Sequence, residues 1–279
     1  MAVRVAVIGH VEWVTHCLGH LPAVGQIAHL SGAFDEPAGG GAVAAAQVAR
    51  LGADCRFFTA LSADGFGEVS AEVLGERGIR VYAATRDDPQ PRALAVVEPS
   101  GERTILVTGG RLSPTMDDAL PWSDLSRCEA AFFTGDDPRT LIAARAARHL
   151  VVTARRVASL VDSGVRADVL VASASDENER VDPDALPVPP RALVVTDGAR
   201  GGRIVVGGRE RRFDPAPLPG PAVDTYGAGD SFAAGLTVGL ARGLRLDEAV
   251  ALAARCGAAA LTGRGGLDRQ LDGTDPAPA

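Results

Sequence analysis

The chain has 279 residues, 46% of them apolar, with 28 basic and 35 acidic side chains for a formal net charge of −7. That length fits one large α/β unit or two modest domains, and an acidic balance with no basic stretch argues against nucleic acid or an anionic membrane and for a small-molecule ligand. No lysine occurs, so every basic side chain is arginine, which excludes by their usual mechanisms the P-loop NTPases, protein kinases, pyridoxal-phosphate enzymes and Schiff-base aldolases.

In chain order, Val3 to Ile8 is a short β-branched run ending at Gly9, as expected of a buried parallel strand, and a loop follows. Gln26 to Phe34, short and mixed in polarity, reads as a partly exposed strand. Ala42 to Leu51 reads as a helix closed by Gly52. Cys55 to Ala60 reads as a strand, Phe66 to Arg77 as a helix ended by Gly78, and Ile79 to Ala83 as a strand. Ala93 to Glu98 and Arg103 to Val107 read as a hairpin that could pair with the Gln26 to Phe34 strand. Alternation then resumes, with strands at Ala130 to Thr134, Leu150 to Thr153, Val169 to Ala172 and Ala192 to Thr196, and a helix over Pro138 to His149. A second hairpin, Gly202 to Val206 with Arg211 to Asp214, precedes two helices, Ser231 to Arg242 and Leu246 to Leu261. Repeated β-α-β units imply a doubly wound, mostly parallel sheet covered on both faces, with a small β excursion as lid. The domain expected is 1–266, with lid strands near 26–35 and 93–107 and a disordered tail over 267–279.

Cys17, Cys55, Cys128 and Cys256 are scattered without a CxxC pair and read as reduced, buried thiols. The N-terminus lacks the h-region of a signal peptide, and no apolar stretch reaches about 18 residues, so a cytoplasmic protein is expected.

The strongest chemical signal is Asp224-Thr225-Tyr226-Gly227-Ala228-Gly229-Asp230, running into the apolar helix that starts at Ser231. Small residues let backbone approach a phosphate, successive N–H groups point at it, and the helix N-terminus adds partial positive charge, so no lysine is needed. Asp230 would stand beside the bound phosphoryl as a base. The bland alternative is a Gly-rich turn with Asp230 as helix N-cap.

These residues, DTYGAGDSFAAG, resemble the C-terminal signature DTxGAGDxFxxG of the ribokinase-like, or PfkB, carbohydrate kinases. Gly39-Gly40-Gly41 through Arg50-Leu51-Gly52 resembles the family's N-terminal signature. Asp64-Gly65-Phe66-Gly67, Gly101-Glu102-Arg103-Thr104-Ile105 and Thr196-Asp197-Gly198-Ala199-Arg200-Gly201 are similar to further family segments, in the family's order, so the likeness spans Val3 to Gly266. The resemblance implies an ATP-dependent kinase with Asp230 as base and the amides of Gly227, Ala228 and Gly229 as anion hole. It implies that Thr196, Gly198, Gly201 and Thr225 contact the nucleotide. It further implies that Asp224 and the Tyr226 carbonyl hold a monovalent cation such as K⁺, opposite Thr262 to Gly266. A lid over the sugar, which often pairs with a second subunit, makes a homodimer an expectation.

Departures from the family pattern sharpen the reading. Where an Asn-x-x-Glu motif usually arranges Mg²⁺ and phosphates, Ser173 and Asp176 stand, and they read either as oxygens acting through water or as a loop with a helix-capping acid. The sugar-gripping Asn-x-Asp after the first strand falls on Glu12 and Val14, and the signature Asn beside Gly39 and Gly40 falls on Val43. Glu12 can take over a diol, and His10, His16 or Arg103 can read an acidic or less polar acceptor, though each lone histidine also suits a purely structural place. Trp13 fits either core packing or stacking on a ring. The functions that stand are a kinase of sugars or sugar-like alcohols, a nucleoside or vitamin-alcohol kinase of the same fold, and a non-catalytic nucleotide sensor. A dinucleotide oxidoreductase would need G-x-G-x-x-G where Gly9-His10-Val11-Glu12 stands.

Overall fold

The computed structural model describes residues 2–98 and 103–273. Thirteen strands and six α-helices follow in chain order: β1 (Arg4–Ile8), β2 (Glu12–Leu18), β3 (Ser31–Ala38), α1 (Gly39–Arg50), β4 (Asp54–Ser62), α2 (Gly65–Glu76), β5 (Arg80–Arg86), β6 (Arg92–Val97) and β7 (Arg103–Thr108). After these come β8 (Ala130–Phe133), α3 (Pro138–Ala144), β9 (His149–Thr153), α4 (Val157–Ser163), β10 (Val169–Ser173), β11 (Ala192–Thr196), β12 (Gly202–Val206), β13 (Arg209–Phe213), α5 (Ala228–Ala241) and α6 (Leu246–Ala260).

The large sheet has the order β13-β12-β11-β10-β9-β8-β1-β4-β5. All its neighbours run parallel except the β11–β12–β13 edge. The chain winds outward from β1 to β4 and β5, then crosses back to β8 on the other side, so the switch point lies between β1 and β8. In such sheets ligands bind at the carboxyl ends of the strands beside that switch. Val5, Val7, Phe57 and Phe132 pack one face under the helices that carry Leu236 and Val250, while Ile8, Phe58 and Phe133 pack the other with Leu141 and Leu160. The helix α5 is buried along Ser231–Ala241 because it is sandwiched by α1, α6 and the sheet. Its contact with α6 needs glycine: a Cβ on Gly235 would lie 2.6 Å from Cys256 Sγ.

The small sheet has the order β3-β2-β6-β7. Here the structure corrects the sequence reading. The segment after Gly9, read as loop, supplies β2, the centre of the lid. The hairpin strand β6 pairs with β2 in parallel and not with β3, which spans Ser31–Ala38 rather than Gln26 to Phe34. The Pro-Ser-Gly turn of that hairpin lies outside the described residues. The helix from Pro138 stops at Ala144, and a separate α4, unforeseen, follows β9. The stretch after Gly266, expected to be disordered, packs as far as Gly273: Leu267 and Leu271 are buried, and Leu271 exchanges two hydrogen bonds with the Gln47 amide at 3.0 and 3.1 Å. Asp64 caps α2 by accepting from Gly67 N–H at 3.0 Å, and its other oxygen accepts from Gln90 N–H at 2.9 Å, which ties α2 to the base of the lid.

Candidate active site

The anion loop is built at the start of α5. Gly227 caps the helix in the left-handed region, φ 73°, with no side chain capping, so the first-turn amides are left to an external acceptor. Asp230 is therefore the third residue of the helix and not its N-cap, which removes the bland reading of that carboxylate.

Asp224 holds the loop from below. Its Oδ1 accepts Tyr226 N–H at 2.9 Å and its Oδ2 accepts Gly265 N–H at 3.0 Å, which joins the loop to the segment after α6. Asp224 is 4% exposed and makes no ion pair among the described residues. The Tyr226 ring is buried with Val14, Ala38, Val43, Ala93 and Ala95, and its hydroxyl accepts Gly39 N–H at 3.3 Å. Burial pushes the phenol's pKa far up. Val43, read as an acceptor-pocket position, packs against the loop: a Cβ on Gly227 or Gly266 would lie 2.9 or 2.5 Å from its methyl groups.

Asp230 stands over Gly40, where a Cβ would come within 3.0 Å of its Oδ1 and 3.4 Å of Thr134 Oγ1. Burial raises its carboxyl pKa to about 6, with Glu179 and Glu12 adding to the rise and Arg155 and Arg103 opposing it. A carboxylate poised near neutrality suits a general base.

On the acceptor side Glu12, at the start of β2, lies 3.6 Å from His10 Nε2. Burial would raise its pKa, but His10 and Arg111 outweigh that and hold it below the usual value. Arg103 reaches from β7 to donate to Thr225 Oγ1 and stacks over the Tyr226 ring at 5.7 Å, so the lid touches the anion loop. His16 and Trp13 take structural places. His16 stacks on Phe34 at 4.7 Å, meets Tyr226 edge-on and lies 3.0 Å from Glu36, whose Oε1 accepts Gly266 N–H at 2.6 Å. Trp13 packs on Phe66 of α2 at 5.4 Å.

On the nucleotide side Thr196 ends β11, its hydroxyl donating to the Ala172 carbonyl at 3.2 Å. Gly198 and Gly201 both have positive φ, and a Cβ on Gly201 would lie 2.1 Å from the Phe213 carbonyl oxygen, so packing on β13 alone demands glycine there. Ser173 Oγ is 2.9 Å from Ser175 Oγ. Asp176 Oδ1 accepts Asn178 N–H at 2.9 Å, and its Oδ2 receives Arg155 Nη2 at 2.5 Å, while Arg155 Nε reaches Glu179 Oε1 at 2.6 Å. The capping role foreseen for Asp176 is thus real. Sequence reasoning missed Arg155 and Glu179; two arginines directly after a strand in a lysine-free chain were the available signal. Both Asp176 oxygens are thus engaged by protein donors, so this carboxylate does not fit as a direct Mg²⁺ ligand in this arrangement.

A family model described as pfkB family carbohydrate kinase matches residues 4–163 and 168–271. The chain belongs to that family. This pfkB-family enzyme is a kinase, an ATP-using phosphotransferase with an alcohol group as acceptor. It is 29% identical over 273 residues to a fructokinase of Klebsiella pneumoniae, covering 83% of this chain and 87% of the relative. Its ribokinase-like fold matches the ribokinase of Thermotoga maritima with a TM-score of 0.77 at 20% identity, covering 95% of each chain. A microbiome-derived acarbose kinase matches with a TM-score of 0.80 at 22% identity over 98% of this kinase and 97% of that chain. Among the described residues no helix is long and apolar enough to cross a membrane.

Proposed function

We propose that this kinase transfers the γ-phosphoryl of ATP to a hydroxyl of a sugar or sugar-like ring. Asp230 takes the hydroxyl proton as the oxygen attacks phosphorus, and the Gly227, Ala228 and Gly229 amides stabilise the charge on the transferring group. The observation that carries this reading is the Asp230 carboxyl, near pKa 6, on the open first turn of α5 beside Gly40. Thr196, Gly198, Gly201 and Thr225 line the nucleotide, and Glu12 with Arg103 receives the acceptor. Mg²⁺ enters as counter-ion of the nucleotide phosphates. K⁺ would be held by Asp224 and the Tyr226 carbonyl, where a buried carboxylate without an ion-pair partner among the described residues supports a cation.

The acceptors named in the relatives, fructose in one and acarbose in another, favour a ring alcohol. We also infer a homodimer through the lid, since the edge strand β7 presents Ile105, Leu106 and Val107 at 38%, 48% and 54% exposure. ADP release measured across sugars, sugar acids, cyclitols and nucleosides tests the reading. It expects turnover on a ring alcohol, and nucleotide binding without turnover on any acceptor would replace it with the sensor.

A further inference from the structure

The carboxyl ends of β9 and β10 hold a guanidinium and two carboxylates to which the reaction above gives no task. β9 ends at Thr153 and turns through Ala154–Arg156 into α4. The two arginines of that turn diverge. Arg156 anchors back toward β8, donating from Nε to the Thr134 carbonyl at 3.1 Å and from Nη1 to Asp136 at 2.6 Å. Arg155 leans the other way, onto Asp176 and Glu179.

Those two bonds fix the plane of the Arg155 guanidinium and leave its Nη1 without a hydrogen-bond partner among the described residues. The carboxylates are packed into the wall, at 23% and 11% exposure, while the Arg155 side chain is 58% exposed. The assembly presents positive charge outward, held by negative charge behind it. It also stands on the side of the base: the next residue, Arg156, donates to the Thr134 carbonyl, and Thr134 Oγ1 and Asp230 Oδ1 both flank Gly40, within 3.4 and 3.0 Å of where its Cβ would be.

Phosphoryl transfer concentrates charge on the β–γ bridging oxygen and the three γ-oxygens, and a planar donor held in place by its own hydrogen bonds meets that charge without reorganising. No lysine exists to do so, and Asp176 is already engaged. We propose that Arg155 is a catalytic residue that contacts the transferring γ-phosphoryl through its free Nη1 edge, with Asp176 and Glu179 as the residues that position it. The inference rests on the kinase reading. In the step, the acceptor oxygen bonds to γ-phosphorus, the bond to the β–γ bridging oxygen breaks, and ADP leaves with that electron pair. The hydroxyl proton passes to Asp230, and Arg155 remains protonated throughout.

The test compares the parent with Arg155→Ala, Arg155→Lys and the triple variant Arg155→Ala, Asp176→Asn, Glu179→Gln, on the best acceptor found. Removing one donor to a transition-state charge lowers kcat by about 10² to 10³, so Arg155→Ala should fall by that much, with the acceptor KM within about threefold and part of the rate restored by lysine. By calorimetry, Arg155→Ala should lose affinity for a non-hydrolysable ATP analogue about tenfold while holding ADP like the parent. If Arg155 merely neutralised its two carboxylates, the triple variant would regain parental turnover and analogue binding, and that result overturns the proposal. So does Arg155→Ala turnover within tenfold of the parent. A parent inactive on every acceptor counts against the kinase reading instead, because the comparison then has no turnover to lose.

Discussion

Asp230→Asn separates a catalytic carboxylate from a structural one through both rate and stability. The carboxyl is raised from 3.8 to about 6 chiefly by burial. At about 1.36 kcal/mol per unit, a rise of about two units is a ceiling near 3 kcal/mol on what ionised Asp230 subtracts from folding stability at pH 7. The carboxylate keeps partial access to water at the open first turn, and screening there reduces the figure to about 1–2 kcal/mol. The sign follows from proton counts. Between pH 4 and 6 the folded state binds the extra proton, so stability falls as pH rises through that window and stays lower above it. The amide removes that loss and, because Gly227 and not Asp230 is the cap, forfeits no capping bond.

Asp230→Asn should therefore melt above the parent at pH 7.5 by about 2–8 °C, taking about 2–4 °C per kcal/mol for a chain of this size. The two should converge near pH 4. Turnover should drop by about 10² to 10⁴, since the amide cannot accept the hydroxyl proton. In the parent, kcat/KM should rise with pH up to about 6 and then level off. Calorimetric melts at three pH values and initial rates of ADP release give all of these quantities. A variant that keeps turnover within about tenfold, or that melts below the parent at pH 7.5, refutes the reasoning.

The remaining predictions concern the surroundings of that carboxylate. Gly40→Ala puts a methyl 3.0 Å from Asp230 Oδ1 and 3.4 Å from Thr134 Oγ1; turnover should fall at least about tenfold with little change in melting temperature, and unchanged rates would show that Asp230 does not work over Gly40. Ribose should not be the best acceptor in a broad panel, because Val14 and Val43 offer no hydrogen bond and each unpaired hydroxyl in a closed site costs about 1–3 kcal/mol; the ranking of kcat/KM decides it. Replacing K⁺ by tetramethylammonium should lower the rate, and indifference to that exchange removes the cation from beside Asp224.

What the sequence made legible follows the range of the interactions. The β-α-β alternation and the Gly227-Ala228-Gly229 loop are local, set by glycines at positive φ and apolar periodicity, and they appear where the residues place them. The lid order is not local. Glu12–Leu18 mixes charged, aromatic and β-branched residues without clean alternation, and its pairing with β3 on one side and with β6, nearly eighty residues on, on the other makes it a strand. Arg155 escaped notice for the same reason: Asp176 and Glu179 lie 21 and 24 residues away and meet it only because β9 and β10 are neighbours. Val43 stands at the expected place on α1, but nothing local to it signals that its methyl groups fill space left by the bare backbones of Gly227 and Gly266.

That last packing links the two departures on the acceptor side. Val14 from β2 and Val43 from α1 are buried together with Tyr226, which belongs to the anion loop, and the Arg103 guanidinium lies over the same ring. These apolar side chains pack the small sheet, α1 and the anion loop against one another. That contact is stabilised by burial, at about 25 cal/mol per Å² of apolar surface. On the proposed reading acceptor recognition falls to Glu12, held ionised by His10 and Arg111, and to Arg103, which donates to Thr225 of the anion loop. One accepts hydrogen bonds and the other donates them. On that reading such a pair would select a ring alcohol by the spacing of its hydroxyls.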